Sequence, residues 1–596
     1  MTARHRALGT LLRRAPAAIL LGCACLIPPS AVGPAGVSSG GASDAAPAAS
    51  SEGAGRPGTG VCSDRVPWAP EPLPGRCSDS PPWLTGSAAS VHLRVDAAAR
   101  GRPWSRFYEK AVAADHANTL RCTAWGRNAE RALRKGHEQA GFEYVRFHGV
   151  LDDDVGAYSE DSSGRPVYRW RGVDQVYDAV VGAGMRPIVE ISFTPGALAS
   201  DPTKLQKLMW YGDASPNISP PKDWGRWKDF MAELVRHLEN RYGAGDVRTR
   251  WYFEVWNEPS WMYSPGDAGY VELYENTVSG LLQGDPKVKV GGPAGSSKES
   301  VELVKSLLAL AKTRKVKLDF VTYHCYGTDS GQSSDANGVA DFNRTLMGVL
   351  ANGGFTGEVI NDEFGPSSRA DAERDDESAA SFVAKTIHLI GTDADTPPPS
   401  AFGYWTISDL YEEFNTGGAL AYRGGNYGLL LKGDPRFPES YDVAKPAFNA
   451  FRLLHRMGEV QLSVSGGTTA DGVNAAATLS ADGRALQILV YNHVTGGHAD
   501  STQSALVALS VDGLPFANGP VRVRHTIVDR SHANSHTAWL AMGEPQVPSR
   551  DQWAALRDAA QLCYYEVVTD VVNHAWSITF PQNVYSVALI ELEPPL

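Results

Sequence analysis

Two glutamates stand where a pair of carboxylates could do acid–base and nucleophilic work. Glu258 lies in Trp256-Asn257-Glu258-Pro259, directly after the strand-like run WYFEV. Glu363 lies in Asn361-Asp362-Glu363-Phe364-Gly365, directly after Glu358-Val359-Ile360. Acids at the C-terminal ends of non-adjacent strands in a closed barrel face each other across its mouth, where such barrels keep their chemistry. Breaking a glycosidic bond needs a pair of this kind. One carboxyl protonates the leaving oxygen, and the other attacks or stabilises the oxocarbenium-like centre. A separation of about 5–5.5 Å would give retention of configuration. The bland alternatives are an exposed Glu in an Asn-Glu-Pro turn and a structural acid at 363, with Asp362 as a rival for its role. Asn257 is placed to orient a hydroxyl beside Glu258.

The elements that must position this pair are legible as an alternation. Strand-like runs fall at 142–147, 186–193, 251–255, 288–290, 318–323, 358–360 and 401–405, and a first strand is expected over 106–112. Helical spacing separates them. Trp227, Phe230, Met231, Leu234, Val235 and Leu238 repeat on one face of 224–240, and Val301, Val304, Leu307, Leu308 and Ala311 do so over 301–311. Strands alternating with helices predict an α/β chain with a parallel sheet, and eight such units suit a (β/α)8 barrel. After 455 the runs become short, alternating and separated by turn residues, which predicts an accessory β-sandwich with one helix near 550–560. The run 91–95 is a candidate extra strand of that sandwich. The expected organisation is therefore 1–30 signal, 31–90 linker, 91–454 barrel and 455–596 sandwich.

Charge and cysteine usage narrow the class. The chain has 596 residues, 43% of them hydrophobic, and a formal charge of −12. No basic block is present, so a nucleic-acid partner is disfavoured. Arg4, Arg6, Arg13 and Arg14 precede an apolar stretch at 15–27 and small residues at 28–35. That is the pattern of a cleaved secretory signal and predicts an exported protein. Cys23, preceded by Leu-Leu-Gly, is an alternative point of lipid attachment. Residues 28–61, rich in Ala, Gly, Ser and Pro, read as a disordered linker. Cys62 and Cys77 flank a Pro-rich loop and are candidates to pair. No zinc-type Cys/His spacing occurs. Asp152-Asp153-Asp154 lacks the pattern of a calcium loop and reads as solvated loop acids.

The stretches RFHGVLDDDVGAYSED (146–161), WYFEVWNEP (251–259), DFVTYHCYG (319–327), EVINDEFGP (358–366), YWTISDLYEE (404–413) and RSHANSHTAWLAMGEPQ (530–546) together resemble glycoside hydrolase family thirty-nine. Its members are β-xylosidases and their relatives, the α-L-iduronidases. The last stretch is closer to the β-xylosidase branch, and the NDE triplet is closer to the iduronidase branch. The resemblance implies a retaining exo-glycosidase acting on oligosaccharides without a cofactor, with Glu258 as acid/base and Glu363 as nucleophile. It also implies sugar contacts from His148, His324, Tyr326, Trp405, Glu412 and Glu413. Tyr326 is expected to bond the nucleophile, and Trp405 to stack on a sugar face. In the first step Glu258 must carry a proton, and a neighbouring negative charge is expected to raise its pKa. A β-D-xyloside is the expected substrate. Other glycosides, and a non-catalytic carbohydrate-binding role on the same fold, stay open.

Overall fold

The computed structural model describes residues 74–83, 89–122, 124–206, 215–409, 427–434, 436–437, 440–468, 471–497 and 499–594. Eight parallel strands close into a barrel in sequence order. They are Ala111–His116, Tyr144–His148, Arg186–Ile191, Tyr252–Val255, Lys289–Ser296, Phe320–Tyr326, Glu358–Gly365 and Ala401–Tyr404. The expected (β/α)8 fold is thus present, with shifts at its edges. The first strand starts at Ala111 rather than 106. Phe107–Glu109 is a 3-10 turn instead, and Arg106 is drawn away to Glu109 and the carbonyls of His455 and Met457. The seventh strand continues through Asn361-Asp362-Glu363 to Gly365, so its polar residues belong to the strand itself.

The helices between strands form for local reasons. Trp224–Tyr242 is capped by Asp223, whose side chain accepts from the Gly225 and Arg226 amides, and it stops at Gly243 with φ 93°. Its six periodic apolar residues are all buried.

Alternation along the strands fills the barrel in layers. Ala111, Ile188, Tyr252, Phe320, Ile360 and Ala401 form an apolar plug. Two residues further along their strands come Glu190, Glu254 and Asp362, which meet Arg146 of the second strand. One step higher lie the residues of the mouth. A strand buried on both sides thus carries a charge at its middle inward position.

Eight strands of the C-terminal region and two that precede the barrel form one mixed sheet of ten, with a core of its own. The long strand Val91–Pro103 lies inside that sheet, antiparallel to Val460–Gly466 and parallel to Ser504–Asp512. The barrel helix Glu377–Thr392 is almost wholly buried at the seam between the two parts. There His388 Nδ1 bonds the Tyr491 hydroxyl at 2.7 Å, and His493 bonds Ser381 at 2.9 Å. Asn449 donates to the carbonyls of Ala533 and Ala560, both at 2.9 Å, fixing the barrel's last helix to the segment that carries Ser535–Ala541 and Arg550–Ala559.

The expected pairing of Cys62 with Cys77 is overturned. Cys77 is bonded to Cys563, 486 residues away, and Gly75–Arg76 adds a short parallel strand beside Cys563 and Tyr564. That part of 31–90 is therefore packed on the sheet edge and is not linker. Cys122 is disulfide-bonded as well, and Cys325 is free and buried. The signal segment, Cys23, Cys62 and residues 410–426 lie outside the described residues. Among the described residues no helix is long and apolar enough to cross a membrane.

Candidate active site

The chain turns sharply where the fourth strand ends. Trp256 and Glu258 both take positive φ, 72° and 40°. Such angles are costly for residues with a side chain and persist only where packing over-determines them. Here the buried Trp256 indole donates to the Met262 carbonyl at 2.8 Å, and the Glu258 amide donates to the Ala294 carbonyl at 2.9 Å. Pro259 opens the short helix Pro259–Met262 at its first position. The turn aims the Glu258 carboxyl into the barrel mouth. There Oε1 faces His324 Nδ1 at 2.9 Å, and Oε2 accepts from Trp261 Nε1 at 2.5 Å.

Glu363 points in from the seventh strand. Its Oε1 accepts from Arg146 Nη1 at 2.6 Å, and its Oε2 accepts from the Tyr326 hydroxyl at 2.6 Å. The expected contact of Tyr326 with Glu363 is thus present. Carboxylate oxygens of Glu258 and Glu363 and a ring nitrogen of His324 all lie within 4.8 Å of one another. The two glutamates line one cavity of about 420 Å³, together with His148, Asn257, Tyr326 and Trp405. Glu412 and Glu413 lie outside the described residues.

Arg146 is the organiser that sequence reasoning missed. Its fully buried guanidinium donates to Glu254 at 2.6 Å, Glu363 at 2.6 Å and Asn257 Oδ1 at 2.8 Å. It also pairs with Glu190 at 2.9 Å and lies 3.2 Å from Asp362. Asn257 therefore spends its carbonyl on Arg146, which leaves its NH₂ to serve the cavity. His148 Nδ1 contacts Glu190 at 2.8 Å, and its ring packs against Trp405 with centroids 4.8 Å apart. The signal for this layer was available: Arg146, Glu190 and Glu254 are charged residues at inward positions of otherwise apolar strand runs. Tyr427 and Trp261, which also line the cavity, carried no comparable signal.

A second buried guanidinium ties the loops of the mouth. Arg374 donates to the carbonyls of Ser367 at 2.9 Å, Trp405 at 2.6 Å and Tyr427 at 3.0 Å. It also lies against the rings of Tyr326, Tyr404 and Tyr427.

The charges divide in a definite way. Burial pushes the Glu254 carboxyl well up, and Asp362 beside it adds to the rise. Burial acts most strongly on Asp362 too, but Arg146, the hydrogen bond from Glu254 and the His324 ring together outweigh it and hold that carboxyl low, so the pair keeps its proton on Glu254. Burial opposes the charge of His324, yet Glu363, Asp362 and Glu258 raise its pKa well above the usual value. Glu258 runs against expectation. Burial raises its pKa, but the hydrogen bonds from His324 and Trp261 prevail and lower it.

Asp152-Asp153-Asp154 is not a solvated triplet. Asp152 is buried, with Oδ2 3.3 Å from His116 Nε2, and Asp154 lies 3.5 Å from His116 Nδ1. Asp153 accepts from the Gly196 amide at 3.1 Å. The triplet braces the loop after the second strand against the ends of the first and third.

Residues 91–564 match the model of the family described as Glycosyl hydrolases family 39. This chain belongs to that family. It is therefore a glycoside hydrolase, as its motifs implied. It is 30% identical over 483 residues to a β-xylosidase of Geobacillus stearothermophilus, covering 77% of this chain and 88% of the relative. It is 28% identical over 494 residues to a β-xylosidase of Caldicellulosiruptor saccharolyticus, covering 80% and 93%. Its fold superposes on a monomeric β-xylosidase from Caulobacter crescentus CB15 with a TM-score of 0.70 at 26% identity, covering 85% of this chain and all of the other.

Proposed function

We propose that this glycoside hydrolase is an exported retaining exo-glycosidase that releases terminal β-D-xylosyl residues from xylo-oligosaccharides. Glu258 is its acid/base and Glu363 its nucleophile. The observation that carries this reading is the approach of the two carboxylates to within 4.8 Å. A retaining pair stands about 5–5.5 Å apart, whereas an inverting pair leaves about 6.5–9.5 Å for a water.

The chemistry then runs in two displacements. Glu363, held by Arg146 and Tyr326, attacks the anomeric carbon while Glu258 passes a proton to the leaving oxygen. With Glu363 esterified, Glu258 takes a proton from water, which attacks the same carbon and frees the enzyme. The Trp405 ring beside His148 offers the apolar face on which a pyranose stacks.

Further features support a neutral sugar and export. Among the described residues that line the cavity there is no Lys or Arg, the partner a uronate would call for. The names of the two bacterial relatives point to a xyloside. The Cys77–Cys563 disulfide suits an oxidising compartment, in keeping with the basic and apolar N-terminal pattern. Lipid attachment at Cys23 is the alternative route to the cell surface.

The test is a panel of aryl glycosides (β-D-xyloside, α-L-arabinofuranoside, α-L-arabinopyranoside, β-D-galactoside and α-L-iduronide) with wild type and Glu363→Ala. NMR identifies the first-formed anomer. The expected result is strong β-D-xyloside turnover with retention, lost in the variant by about 10⁴-fold or more. Turnover of another glycoside would overturn the substrate, and an inverted product would overturn the mechanism.

A further inference from the structure

Resting on that reading, we propose that Asp362 and His324 form a proton-holding pair for Glu258, so that the proton spent on the leaving group is shared between Glu258 Oε1 and His324 Nδ1.

The geometry is a line of three groups, two of them buried and the third, Glu258, open to the cavity. Asp362 Oδ1 lies 3.4 Å from His324 Nε2, and His324 Nδ1 lies 2.9 Å from Glu258 Oε1. Asp362 and His324 are fully shielded from water. A carboxylate at ion-pair distance from Nε2 favours the hydrogen on that nitrogen and leaves Nδ1 to exchange with Glu258. Trp261 can only donate, so it favours the charged form of the Glu258 carboxyl at Oε2. The one mobile proton therefore sits on the Oε1–Nδ1 contact.

The surroundings fix its resting place. His324 Nδ1 faces Glu258 and, at 3.5 Å, Glu363, while Asp329 stands on the loop beyond. On the Nε2 side Asp362 is itself backed by Arg146, with Glu254 carrying the local proton. Three carboxylates around one imidazole favour its cation, in agreement with its raised pKa. This resolves the low pKa of Glu258, since an acid that must donate need not store the proton itself.

The step balances. In glycosylation the shared proton leaves on the aglycone oxygen, the anomeric C–O bond breaks and the Glu363 ester bond forms. Glu258 is left as carboxylate beside a neutral His324 that keeps its Nε2 hydrogen. In deglycosylation water adds to the anomeric carbon, the ester breaks, and the water's proton returns to the Glu258–His324 contact. Asp362 touches no substrate and is a positioning residue.

Asp362→Asn tests this on whichever glycoside the wild type hydrolyses. The basic limb of its kcat/KM profile is expected to move down by about one pH unit or more. Alkyl glycosides, which need the proton, should lose about 100-fold, while dinitrophenyl glycosides, which do not, should change by less than about threefold. Equal losses on both leaving groups, or an unmoved limb, would mean a merely structural Asp362 and overturn the inference. Histidine nitrogen NMR of the wild type, with the His324 signals identified by their loss in His324→Asn, gives a readout independent of turnover. Protons on both ring nitrogens near pH 6, and on Nε2 alone at high pH, are expected. A neutral ring with a bare Nε2 would sink the proposal whatever the substrate proves to be.

Discussion

The fully buried Arg146 faces four carboxyl groups, those of Glu190, Glu254, Asp362 and Glu363. Removing one partner of a buried ion cluster costs far more than a surface pair, because the remaining charges stay buried. Arg146→Met is expected to destabilise the protein by about 3–5 kcal/mol, seen in urea unfolding. Arg146→Lys should keep more of the fold yet fail to restore turnover. An ammonium cannot serve Glu254, Glu363 and Asn257 at once from one planar fork. Full activity in the Lys variant would show that charge alone, and not the geometry of the fork, sets Glu363 in place.

At the scale of elements, the mouth is assembled from separate strand ends, and Arg374 is where three segments converge. Its donors serve carbonyls of Ser367 after the seventh strand, of Trp405 after the eighth and of Tyr427 beyond residues 410–426. A methionine there would fill similar space and leave these buried carbonyls short of a donor, at about 1–3 kcal/mol each. Arg374→Met is therefore expected to lower Tm. It should also raise KM and lower kcat together, since Trp405 and Tyr427 line the cavity and Tyr326, beneath the guanidinium, bonds Glu363. Steady-state kinetics with a thermal scan checks this. An unchanged KM beside a lowered Tm would confine Arg374 to stability.

At the scale of the whole molecule, barrel and sheet are joined by two neutral histidines, His493 buried and His388 half-buried. Burial lowers the pKa of His388 to about 4 and that of His493 to about 4. The unfolded chain takes up protons at histidine near pH 6.5. Below that pH it binds more protons than the folded state does, so these residues' contribution is complete above about 6.5 and is lost as pH falls toward 4. The Tm of the wild type should accordingly drop more between pH 7 and pH 4.5 than that of His388→Phe, which cannot titrate. Equal drops in calorimetry would show that the seam is open to water at His388.

The sequence by itself determined the alternation that makes the barrel, the two strand ends that carry Glu258 and Glu363, and the family. Each rests on a local pattern: a period of two or 3.6, or a motif within a dozen residues. It left the first strand misplaced, because Ala111, Ala113 and Ala114 are buried residues too small to show hydrophobic contrast. Only the tertiary structure decided that Cys77 meets Cys563 rather than Cys62, that Arg146 reaches Glu254 and Glu363 at separations of 108 and 217 residues, and that His324 stands between Asp362 and Glu258. Those contacts run across the barrel axis and along one edge of the sheet. A closed sheet brings together residues whose spacing along the chain carries no period, so no local pattern could announce them.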